Sequence, residues 1–106
     1  ISKYCSISMG TIVMHCVVVQ ASASIGENCI LNNKCLIEHD AVIESNCHIS
    51  TNAIVNGGAV IKENTFIGSG VVIKEGINIG KNVIVGAGAL ILKDVADNQI
   101  ITGIYK

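Results

Sequence analysis

The chain has 106 residues, half of them hydrophobic, 14% charged and 3% aromatic, with eleven glycines and no proline. One domain is the natural count at that length, and so much apolar content with so little charge excludes intrinsic disorder. A net charge of −1 gives no basic stripe for nucleic acid, and no apolar run approaches the roughly 18 residues of a membrane-spanning helix. With no secretory signal legible, the cytoplasm is the expected compartment. The first residue is Ile1 rather than Met, which reads as a trimmed or processed fragment.

Along the chain the apolar residues keep a six-residue phase. Ile1, Ile7, Val13, Val19, Ile25 and Leu31 are followed at the same step by an aliphatic side chain at every position up to Ile91. Neither a helical period of 3.6 nor a plain strand period of 2 holds that phase. Four residues after each anchor the side chain is mostly small or β-branched, as at Thr11, Val17, Ala23, Cys29, Cys35 and Ala41. A longer period lies over this one: Ile25-Gly-Glu-Asn28, Ile43-Glu-Ser-Asn46, Ile61-Lys-Glu-Asn64 and Ile79-Gly-Lys-Asn82 recur every 18 residues. Three hexads therefore make one coil. The expected fold is all-β, a parallel β-helix of about six triangular coils with short strands stacked about 4.8 Å apart. Asn28, Asn46, Asn64 and Asn82 fall at one corner, with Gly58 and Gly76, and Gly70 and Gly88, at the other two, where a left-handed backbone suits asparagine and glycine. The regular pattern ends at Asp97, so residues 1–96 form the expected solenoid and residues 97–106 its cap or tail.

Few residues along this frame carry chemistry. His15 sits in an early coil without an acidic neighbour and reads as a surface residue. Cys5, Cys29, Cys35 and Cys47 share the small-residue phase and read as buried small hydrophobes, with no C-x-x-C spacing for zinc. Cys29 and Cys47 lie one coil apart, which leaves a disulfide open as an alternative. In Ile37-Glu38-His39-Asp40 an imidazole stands beside two carboxylates, the residue types of a general base and its partner; a surface histidine beside a turn is the other reading. His48 follows nine residues later, half a coil, and so on another side of the prism. Within one chain the two cannot share a pocket, and joint action requires a neighbouring subunit. Zinc held between subunits by the three histidines is a further alternative that their separations of 24 and 9 residues suit poorly, so no metal is expected. Val85-Gly-Ala-Gly88-Ala keeps the β period with no helix after it, and its glycines read as corner residues rather than a dinucleotide loop.

These residues resemble a known family. Val85-Gly-Ala-Gly-Ala-Leu-Ile-Leu-Lys-Asp-Val95, followed by Ile100-Ile-Thr-Gly103, looks like the terminal signature of hexapeptide-repeat acyltransferases. Ile30-Leu-Asn32, Ile37-Glu-His39-Asp40 and Cys47-His48-Ile-Ser50 are similar to the sialic acid O-acetyltransferase and nucleotide-amino-sugar N-acetyltransferase branch. The resemblance implies a left-handed helix, acetyl-CoA as cosubstrate, a sugar or nucleotide-sugar acceptor, and a homotrimer with sites between subunits. It implies that His39 removes a proton from the acceptor, that Asp40 supports it where glutamate is common, and that His48 contacts acetyl-CoA. Gly57, Ser69 and Ala87 fall on cofactor-lining positions. Members of that branch carry an N-terminal Rossmann-like domain, expected to be absent here, and a closing Gly-x-Pro that Gly103-Ile-Tyr lacks. The expected function is acetyl transfer to a sugar amine or hydroxyl in bacterial surface glycan synthesis. The alternatives are a non-catalytic trimerisation scaffold or an acetyltransferase with a non-sugar acceptor.

Overall fold

Each hexad yields two extended residues, one pointing out and one in, followed by a four-residue turn. The computed structural model describes all residues from Ile1 to Lys106 and contains no helix. In the pairs Val18–Val19, Val42–Ile43 and His48–Ile49 the first side chain reaches the surface and the second is buried. The strands form three parallel sheets, the faces of a triangular prism. The first face holds Ser6–Ile7, Ser24–Ile25, Val42–Ile43, Val60–Ile61 and Asn78–Ile79. The second holds Ile12–Val13, Ile30–Leu31, His48–Ile49, Phe66–Ile67, Ile84–Val85 and Ile100–Ile101, and the third Val18–Val19, Leu36–Ile37, Ile54–Val55, Val72–Ile73, Leu90–Ile91 and Ile104–Tyr105. Partners lie 18 residues apart, as in Ile25↔Ile43, Leu31↔Ile49 and Ile37↔Val55.

Every corner from Gly10 to Gly88 turns on one residue with φ between 54° and 78°. The asparagines and glycines expected there do so, and Cys16, Ser22, Lys34 and Asp40 are forced into the same conformation. A side chain in that region costs roughly 1–2 kcal/mol per residue. From Asn28 to Gly88 the coil beneath offsets it, because the N–H of each such residue donates to the carbonyl nineteen residues earlier: Asp40 to Ala21 at 3.2 Å, Asn46 to Glu27 at 2.9 Å, Gly88 to Ser69 at 2.8 Å. In Val85-Gly-Ala-Gly only Gly88 turns a corner; Gly86 has ordinary φ, and its missing Cβ instead gives room to Thr102.

The interior is one column of aliphatic anchors, fully buried from Ile25 to Ile91. Ile1, 63% exposed, and the half-buried Ile7 and Val13 stack against a coil on one side only. One file of small residues does more than fill space. Thr11 Oγ1 donates to the Gly26 carbonyl at 2.7 Å, Cys29 Sγ to Glu44 at 3.2 Å, Cys47 Sγ to Lys62 at 3.1 Å and Thr65 Oγ1 to Gly80 at 2.7 Å. Cys29 and Cys47 are therefore thiol donors filling a threonine's role, not merely small hydrophobes, and both are free. Past Asn82 the coil tightens: Ile84 pairs with Ile100 sixteen residues on, and Leu90 with Ile104 fourteen on. Residues 100–105 thereby lay a further strand on the second and third faces.

Candidate active site

Leu36–Ile37 on the third face and Val42–Ile43 on the first are joined by a corner that carries Glu38, His39 and Asp40. Asp40 occupies the left-handed position with φ 61°, which swings its carboxylate back along the turn. Asp40 Oδ2 lies 3.0 Å from His39 Nδ1, and both side chains are about two-thirds exposed. An ionised carboxylate only accepts, so in the neutral imidazole Nδ1 carries the proton and Nε2 keeps its lone pair. The exposed corner thus presents a basic nitrogen with its tautomer set by the next residue. One coil on, the His39 ring lies directly over Gly57: a Cβ built there would stand 2.7 Å from both Cε1 and Nε2.

His48 belongs to the second face, which is opposite that corner. It stands in an outward file of Ile12, Ile30, His48, Phe66, Ile84 and Ile100. Its ring meets the Phe66 ring at 5.1 Å and 79°, an edge-on contact, and its Nε2 is sealed from solvent without a hydrogen-bond partner. Ser69 and Ala87 lie at the corner between the second and third faces, exposed and one coil apart. The left-handed residues beside them, Gly70 and Gly88, have no atoms within 4 Å of where a Cβ would be, so the backbone there is open to a ligand. His15 shares that corner several coils earlier.

Within one chain the site residues thus fall into two groups. His39, Asp40 and Gly57 meet at one corner; His48, Ser69 and Ala87 line a face and corner elsewhere. The steric relation of Gly57 to His39 and the contact of Phe66 with His48 were missed by sequence reasoning. Both join residues 18 apart, so the coil period itself was the available signal.

The bacterial transferase hexapeptide model, six repeats, matches residues 22–57 and again 58–93. Among solved structures, the acetyltransferase domain of PglB from Neisseria gonorrhoeae FA1090, in complex with acetyl coenzyme A, is similar at a TM-score of 0.95 and 32% identity, covering 96% of this chain and 50% of that one. A perosamine N-acetyltransferase from Caulobacter crescentus, in complex with CoA and GDP-perosamine, is similar at 0.83 and 26%, covering 97% and 52%. WeeI from Acinetobacter baumannii AYE is similar at 0.70 and 25%, covering 92% and 54%. The chain spans about half the length of these solved proteins. No curated protein sequence matches it significantly.

Proposed function

This chain belongs to the bacterial transferase hexapeptide family, and from that premise we propose that it is the left-handed β-helix of an acetyl-CoA-dependent sugar acetyltransferase. The observation that carries the reading is the His39–Asp40 pair, held Nδ1 to Oδ2 at an exposed corner. The likeness to proteins solved with acetyl coenzyme A, CoA and GDP-perosamine supports the donor and the class of acceptor, an amine or hydroxyl of a sugar or nucleotide sugar. The cytoplasm, where acetyl-CoA is made, is the proposed compartment; no helix of the chain is long and apolar enough to cross a membrane.

In this mechanism the acceptor attacks the thioester directly. His39 Nε2 takes the acceptor's proton as the new bond to the acetyl carbon forms, and Asp40 Oδ2 stabilises the resulting imidazolium through Nδ1–H. His39 then returns that proton to the departing sulfur. Acetyl-CoA supplies the activated carbonyl. The open backbone beside Ser69 and Ala87 suits an extended thioester arm. These two groups lie too far round the prism to act together in one chain. A homotrimer, with the corner of one subunit against the second face of the next, brings them into one site and covers the outward apolar file around Phe66.

The direct test measures thiol release from acetyl-CoA with GDP-perosamine as the first acceptor, for wild type and His39→Ala. Loss of a general base lowers the rate about 10²–10⁴-fold. Unchanged turnover refutes the assignment of His39. Calorimetric titration with coenzyme A separates an enzyme from a scaffold, since a scaffold shows no saturable heat. A strict monomer by light scattering removes the shared site.

A further inference from the structure

We propose that Gly57 is a positioning residue for His39: the lack of a Cβ at this one position provides the seat on which the imidazole rests. The inference builds on the functional reading above for its kinetic consequence, but not for its geometry. Gly57 is the first turn residue of its corner, equivalent to Ala21, His39 and Glu75 on the stacked coils. None of the four has positive φ, so the backbone at this place accepts side chains of any size. Its neighbour Gly58 is the reverse case, with φ 70° and open space around the missing Cβ. Glycine at 58 answers the turn; glycine at 57 answers only what stands above it.

What stands above it is the working end of the ring. A Cβ at 57 would come within 2.7 Å of Cε1, 2.7 Å of Nε2 and 3.3 Å of Cδ2 of His39. Contacts under 3.0 Å to carbon are sterically excluded, so a methyl group there forces the ring off its seat. The main chain cannot give way, because the His39 carbonyl accepts from Gly58 N–H at 3.0 Å and the Gly57 carbonyl from Gly76 N–H at 3.0 Å. The ring itself must rotate. That motion loosens the contact of Nδ1 with Asp40 and moves Nε2, the atom that meets the acceptor's proton.

The test is Gly57→Ala in the full chain, read by the ring resonances of nitrogen-15-labelled histidine. The three histidines give three ring systems, and His39→Ala identifies one of them. The expected result is that Gly57→Ala moves the His39 ring signals and leaves those of His15 and His48 in place. In turnover with acetyl-CoA, kcat falls on the order of 10²-fold, as for a misplacement of about 1 Å. Unmoved His39 signals overturn the proposal, whatever happens to coenzyme A binding. A thermal cycle covers a poorly folding variant: any loss of Tm from Gly57→Ala disappears in the His39→Ala background, and an equal loss in both backgrounds overturns it. Should the wild type transfer no acetyl group at all, the functional reading falls while the ring signals still decide the role of Gly57.

Discussion

Thr65→Val isolates the polar file inside the apolar column. Thr65 is 1% exposed, its hydroxyl donates to the Gly80 carbonyl at 2.7 Å, and the Val83 N–H donates to it at 3.2 Å. Valine has nearly the same shape, so no cavity opens and the change removes one donor and one acceptor. Each backbone group left unpaired in the interior costs about 1–3 kcal/mol. Two such groups make about 2–6 kcal/mol, and the extra buried methyl returns roughly 0.8 kcal/mol. The expected loss is about 3 kcal/mol, measured as a shift in the midpoint of guanidinium unfolding at constant slope by far-ultraviolet circular dichroism. Thr65→Cys should cost less, because Sγ already plays this part at Cys29 and Cys47, 3.2 and 3.1 Å from their carbonyls. A valine variant as stable as wild type, or a cysteine variant worse than valine, would refute the view that the file is held by side-chain donors.

Ile61→Ala, at a fully buried anchor in the middle coils, should cost about 2–5 kcal/mol in the same assay, whereas Ile1→Ala should leave stability unchanged. Asp40→Gly keeps the left-handed corner and removes the acceptor for Nδ1, so chain stability should hold while acetyl transfer falls roughly tenfold, less than for His39→Ala; an equal loss from both would mean that Asp40 is itself indispensable. Burial pushes the Cys35 thiol up to about 11 and that of Cys47 up to about 12 from 9.0. The unfolded chain therefore releases these protons first as pH rises, and stability should decline above pH 9, by about 1.4 kcal/mol per pH unit for each thiol until the folded-state values are reached. Denaturation curves at pH 8 and 10 check this, and equal midpoints would contradict it. Thiol titration with a chromogenic disulfide should find exposed Cys16 at once and Cys29, Cys35 and Cys47 only on unfolding.

The fold was legible because a solenoid writes its geometry into the sequence as a period. Each coil meets only its neighbours, so the same steric slot recurs at fixed spacing and an aliphatic residue must fill it each time. The corners were half legible. Asn46 and Gly70 announce a left-handed turn by type, whereas Ser22 and Lys34 take the same φ only because the coil beneath holds their N–H groups. The end was harder still. Between Ile79 and Val95 the step falls from 18 to 16 residues, so a reading fixed to the six-residue phase loses the strands at Ile100–Ile101 and Ile104–Tyr105 even though they pair in register.

The site divides along the same line. Composition could mark His39 and Asp40 because adjacent residues at a corner must be near each other, and the half-coil offset could place His48 away from them. What the spacing could not supply was the meaning of a residue defined by its neighbour one coil away. Gly57 looks like any corner glycine until its φ is known to be ordinary; then the turn no longer explains it and the ring above does. Likewise Phe66, the single phenylalanine, interrupts the isoleucines of its outward file where its ring meets that of His48 edge to face. In a stacked fold the informative partner of residue n is residue n + 18. A departure from residue type at one of those positions, glycine where φ does not need it or an aromatic among aliphatics, points to the side chain on the next coil. Gly57 and Phe66 each stand beside a histidine in this way.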